Sequence, residues 1–102
     1  MSDKLDTVET ILGKPYFRNE KVILYCGNSL EMMHKLHHTS TQPMVDLTVT
    51  SPPYNIGKEY EHIKPVDQYV SWSRKWMNLV YDLTAADGSF WLNVGYMPIN
   101  GK

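Results

Sequence analysis

The apolar residues of this chain fall into two patterns, short unbroken runs and stretches repeating every three to four positions, which predict different elements. Residues 1 to about 20 are polar and mixed, with a short apolar touch at Val8, Ile11 and Leu12, and read as a short helix or a loosely held arm. Val22 to Tyr25 is a continuous apolar run closed by Cys26 and Gly27; such a run is expected in a strand covered on both faces of a parallel sheet. Asn28 followed three places on by Glu31 is a helix-start signature. Leu30, Met33, Leu36 and His37 continue it at helical spacing, and Thr39 to Pro43 is a breaker-rich loop. Val45 to Thr50 predicts a second strand, and residues 54–65 a long loop holding Gly57 and Pro65. From Val66, the positions Tyr69, Val70, Trp76, Met77, Val80 and Leu83 predict a helix of roughly five turns. Asp87-Gly88 then reads as a turn, and Ser89 to Val94 as a third strand. This order predicts an α/β fold with parallel strands joined by right-handed helical crossovers. Residues 1–20 form the expected arm and residues 21–102 one domain, without internal repeats.

Composition narrows this further. A length of 102 residues suits one small domain, and 42% hydrophobic residues imply a packed core rather than disorder. The apolar stretches are too short to cross a membrane, and the start lacks the basic and apolar regions of a signal peptide. The single cysteine, Cys26, excludes an internal disulfide framework, fits a reducing cytoplasm, and reads as a small core residue. A net charge of −1 argues against these residues alone supplying a phosphate grip on nucleic acid.

The second predicted strand runs into Ser51-Pro52-Pro53-Tyr54. Proline removes a ladder donor and turns the preceding residue away from helix, so the strand must stop there in a stiff turn. The turn is either a tight corner or the seat of a reactive site. Ligands of open parallel sheets sit beyond the carboxyl ends of the strands. Three polar or glycine-bearing turns occupy those ends here, Cys26 to Ser29, Ser51 to Asn55, and Asn93 to Tyr96. They are expected along one edge.

Thr50 to Asn55 resembles the catalytic motif of the DNA methyltransferases that modify adenine N6 or cytosine N4. The likeness extends over most of the chain. "LYCGNSLEMM" is similar to the Gly-Asp-Ser-Leu-Glu turn of the permuted subgroup, "VDLTVTSPPYNIGKEYE" to its catalytic segment, and "GSFWLNVGYMP" to the strand that follows. The resemblance implies a Rossmann-like sheet, S-adenosylmethionine as cofactor and DNA as partner. It implies Ser51, Pro52, Pro53 and Tyr54 as catalytic residues, and Asn28, Ser29, Ser51 and Gly95 at the cofactor. In that chemistry an exocyclic amino group is a poor nucleophile, its lone pair being delocalised into the ring. Acceptors aimed at its two N–H bonds, from residue 51 and the Pro52 carbonyl, would rehybridise it, and two prolines hold them in place. Tyr54 would stack on a base turned out of the duplex.

Two departures qualify the match. Asn28 stands where the family has aspartate, and the Phe-x-Gly-x-Gly cofactor loop is absent from the sequence. The expectation is therefore the N-terminal part of an enzyme, truncated, split or cut, with a complementary C-terminal chain as partner and weak cofactor binding alone. The rival is an inactive remnant that only associates with itself or with a complementary chain. On either reading an open strand edge and surplus aromatic surface predict a homodimer or larger species. Ser51 leans towards cytosine N4 without excluding adenine N6, and counts against RNA or protein-glutamine methylation, where asparagine usually precedes Pro-Pro-Tyr. His34, His37 and His38 read as a solvated helix face rather than a zinc site. Asn93 to Gly95 reads more readily as a strand end than a binding site. Trp72, Trp76 and Trp91 read as core side chains, with Trp72 also placed to meet a further domain. The stretch Tyr54 to Lys64, with its glycine and charges, reads as a mobile loop.

Overall fold

The computed structural model describes residues 3–40, 42–53 and 64–94. The elements run α1 (Asp3–Leu12), β1 (Phe17–Arg18), β2 (Ile23–Leu24), α2 (Ser29–Thr39), β3 (Val45–Thr50), α3 (Val66–Leu83) and β4 (Thr84–Leu92). Helix α1 stops at Gly13, whose φ of 88° is a left-handed cap that glycine adopts without a Cβ clash; its N–H donates to the Glu9 carbonyl at 2.8 Å. The chain then folds into a hairpin, with Phe17 opposite Leu24 and Arg18 opposite Ile23. Asn19 shapes the turn, its Oδ1 accepting from the N–H groups of Lys21 (2.9 Å) and Val22 (2.8 Å). Arg18 ties the hairpin to α1 through Asp6 at 2.6 Å and Glu9 at 2.7 Å. Both hydrogen bonds, that to Asp6 the stronger, raise the Arg18 guanidinium above its ordinary pKa.

This hairpin corrects the expected strand order. The run Val22 to Tyr25 does not join a parallel sheet; its central pair is the second arm of an antiparallel hairpin, and Val22 and Leu24 are each 49% exposed. The Asn19 turn satisfies backbone groups a few residues apart, so the pairing closes a far shorter loop than a crossover to β3 would.

Helix α2 starts as the sequence predicts, Asn28 Oδ1 accepting from the Glu31 N–H at 3.1 Å, and it contacts both α1 and α3. Strands β3 and β4 are parallel, Thr48 facing Phe90 and Thr50 facing Leu92, and α3 is the crossover between them. Trp76, Val80 and Leu83 form one stripe of α3 and are the buried core among the described residues. Trp76 meets Phe90 of β4 edge to face, centroids 6.0 Å apart. The helix passes directly into β4, with Thr84 Oγ1 donating to the Val80 carbonyl at 2.5 Å.

Strand β4 also begins earlier than its sequence suggests. Asp87-Gly88 is not a turn between helix and strand but part of an irregularity in β4. Val45 faces Thr84, yet Leu47 faces Ser89, so β4 carries three extra residues there. Two burial expectations are corrected as well. Cys26 is exposed, and Trp91 is 67% exposed because it alternates with Phe90, which takes the face towards α3. The architecture is thus a small mixed α/β fold with a two-stranded parallel sheet and one helical crossover. Among the described residues no helix is long and apolar enough to cross a membrane.

Candidate active site

Ser51 follows β3 directly, and Pro52 and Pro53 carry the chain off the sheet because neither can donate to a ladder. Three segments distant in sequence meet there. The start of α2 brings Asn28 and Ser29 to the wall of a cavity of about 520 Å³ that Thr50, Ser51, Pro52 and Pro53 also line. Leu30 and Met33 of α2 and Trp72, Trp76 and Val80 of α3 supply apolar walls. The third segment is the end of β4: the Asn93 N–H donates to the Thr50 carbonyl at 3.0 Å, and its Nδ2 donates to Ser51 Oγ at 3.2 Å. Residues of the three turns thus meet, the third through Asn93, but not along one sheet edge as expected, because the first turn follows β2 of the separate hairpin.

On the helix side, Tyr69 Oη donates to the Pro53 carbonyl at 2.5 Å. Tyr69, Trp72 and Trp76 form a ladder along one side of α3, with centroid spacings of 5.8 and 6.3 Å. Lys64 Nζ lies 5.1 Å from the centre of the Trp72 ring, a cation–π contact with a side chain that lines the cavity. Among the described residues the lining offers hydroxyl, amide and carbonyl groups beside aromatic and aliphatic surface, and no ionisable carboxylate or amine. It suits a flat, uncharged ring system with polar edges.

Asn28 both caps α2, its Oδ1 accepting from Glu31, and lines the cavity; its Nδ2 carries its donors. Tyr54 and Gly95 lie outside the described residues, as does all of the expected mobile stretch except Lys64. The histidines do not gather: His34 and His38 stack with centroids 6.0 Å apart, while His37 lies 3.5 Å from Asp82. Asn93 does stand at a strand end, as expected; its contact with Ser51 and that of Tyr69 with Pro53 were not foreseen. Their only signal was polar character at one end of a predicted helix and one end of a predicted strand.

A family model described as DNA methylase matches residues 45–101. Among curated proteins, the chain is 48% identical over 99 residues to the type II methyltransferase M.ScaI of Streptomyces caespitosus, covering 97% of this chain and 31% of that protein. It is 41% identical over 78 residues to M.SfiI of Streptomyces fimbriatus, covering 71% of this chain and 18% of the relative. A third type II methyltransferase, M.MjaVI of Methanocaldococcus jannaschii, is 38% identical over 53 residues, 49% of this chain and 27% of the relative. The chain thus spans less than a third of the length of these relatives. No solved structure is significantly similar.

Proposed function

The chain belongs to the DNA methylase family, and from that premise we propose that it forms the amino-acceptor half of the active site of a type II, S-adenosylmethionine-dependent DNA methyltransferase. The unit β3–α3–β4 is the catalytic part of a larger Rossmann-like sheet in this reading. The observation that carries it is the meeting of Asn28, Ser29 and Ser51 to Pro53 around one cavity. Its volume and apolar walls, with polar groups from the α2 start and the β3 end, fit the adenosyl part of the cofactor. Asn28 and Ser29 would hold that part, Asn28 by donation from Nδ2, while Gly95 would border it. When bound, the cofactor supplies an electrophilic methyl group.

The chain's own residues act on the acceptor. Ser51 Oγ and the Pro52 carbonyl accept hydrogen bonds from the two N–H groups of an exocyclic amino group, cytosine N4 or adenine N6, and so draw its lone pair out of conjugation. The base must first leave the duplex, and Tyr54 stacks against it. Pro53 and Pro52 keep the two acceptors from relaxing away from the amino group.

A chimera tests this. The chain replaces the matching segment of the Streptomyces caespitosus relative, to which it is 48% identical, and transfer of labelled methyl from S-adenosylmethionine to DNA is measured. The chimera should transfer methyl groups, and Ser51→Ala should lower kcat by about a hundredfold. A folded chimera without transfer, beside an active parent, overturns the proposal.

A further inference from the structure

The turn after β3 offers acceptors and almost no donors. Pro52 and Pro53 lack N–H groups, so beyond the Ser51 backbone its polar atoms are the carbonyls of these two residues and the Ser51 hydroxyl. Tyr69 occupies the Pro53 carbonyl at 2.5 Å. Among the described residues that leaves the Pro52 carbonyl and Ser51 Oγ to face an amino group, and the serine is the weak member of the pair. It is exposed, and an exposed serine samples three staggered χ1 wells. Only one well aims a lone pair at a given amino group.

Asn93 removes that freedom. Its backbone N–H is pinned to the Thr50 carbonyl at 3.0 Å, one residue before Ser51. From this anchored position its Nδ2 donates to Ser51 Oγ at 3.2 Å, engaging one of the two lone pairs and selecting the rotamer that presents the other. We propose that Asn93 is a positioning residue that fixes the Ser51 hydroxyl as an acceptor, while Tyr69 holds the far end of the same turn. An aspartate at position 51 would present two oxygens to the amino group without such help; a serine needs the partner. The inference rests on the acceptor role given to Ser51 above, but the hold of Asn93 on Ser51 is measurable without any methyl transfer.

In the 102-residue chain, three-bond couplings of the Ser51 side chain should report one staggered rotamer. In Asn93→Ala they should average between wells, with the amide fingerprint of the rest of the chain retained. The reciprocal variant, Ser51→Ala, should shift the Asn93 side-chain amide resonances, which decides the contact even where Asn93→Ala disturbs the end of β4. Unchanged couplings together with unmoved amide resonances overturn the proposal. In the active chimera, Asn93→Ala should lower kcat on the order of ten- to a hundredfold, with KM for DNA changed by no more than about twofold. The double variant Ser51→Ala/Asn93→Ala should be no slower than Ser51→Ala alone, because Asn93 then has nothing to position. Additive losses would mean that Asn93 acts elsewhere, and would also overturn it. A chimera inactive with the unaltered sequence refutes the methyltransferase reading, and the couplings still decide whether Asn93 sets Ser51.

Discussion

At position 88 a side chain of even one carbon meets resistance. A Cβ there would lie 2.7 Å from Thr84 Cγ2, 2.9 Å from the Asp46 carbonyl oxygen and 3.1 Å from that of Ala85. Two of these three neighbours are backbone and cannot swing aside, so the irregularity of β4 closes against β3 only with glycine. Gly88→Ala should destabilise the chain by about 1–3 kcal/mol in a urea melt. Gly27 is the control, since its Cβ would meet only the terminal methyl of Met32, 2.5 Å away, on a flexible side chain that can move; Gly27→Ala should cost less than half as much. Equal losses at the two sites would mean that the contact with Asp46 does not matter. Single residues were also where the sequence was least informative. Ser51, Pro52 and Asn28 were legible because their chemistry is local: a strand stop and a helix cap. The contacts of Asn93 with Ser51 and of Tyr69 with Pro53 span 42 and 16 residues, and no local pattern encodes them. Trp91 and Cys26 were misjudged for a related reason, since apolar character alone does not say which face of a strand or turn is covered.

Elements with strong local rules were read with nearly correct boundaries. Helix α2 had its cap, β3 its proline stop, and α3 an apolar stripe long enough to outweigh the lack of a side-chain cap at Pro65. The hairpin β1–β2 was missed because a two-residue strand has no period to detect; it exists through Asn19 and the grip of α1. That grip includes Tyr25, whose hydroxyl donates to the Gly13 carbonyl at 2.7 Å just past the end of α1. Burial raises the Tyr25 phenol above its ordinary value of 10.0, the Glu9 charge adding to the rise and Arg18 opposing it. A raised acid group favours the folded state while protonated. Its contribution is therefore complete below pH 10.0 and is lost as pH climbs through the higher folded value. Tyr25→Phe should cost about 1 kcal/mol at neutral pH and should flatten the fall of stability above pH 10.0. Urea melts across an alkaline series check this, and parallel curves for the two proteins would remove Tyr25 from the helix–hairpin joint.

The molecule as a whole has a one-sided sheet. The face of β3 and β4 that carries Thr48 and Phe90 turns to α3, whereas Leu47, Val49 and Trp91 on the other face are 56%, 70% and 67% exposed. Parallel sheets are ordinarily covered on both faces, and contiguous apolar surface of this kind seeks a cover. Fully burying each such side chain is worth about 1.5–3 kcal/mol, more than the chain can readily forgo when its described core is Trp76, Val80 and Leu83. A net charge of −1 does little to keep copies apart. In the absence of any other polypeptide, a second copy is the cover at hand, and the chain should form a homodimer or a larger species through this face. Val49→Lys is the sharpest probe. Val49 is 70% exposed, so the substitution leaves the core intact, yet it places a charge at the centre of the apolar face, opposite Trp91 in the strand register. Light scattering over a concentration series should show association of the parent chain and a shift towards monomer in the variant, with melts of the two converging at low concentration. A parent chain that stays monomeric at high micromolar concentration would rule out self-association. Association that survives Val49→Lys would move the contact to another surface, such as the outer edges of β3 and β4, which pair with no other strand among the described residues.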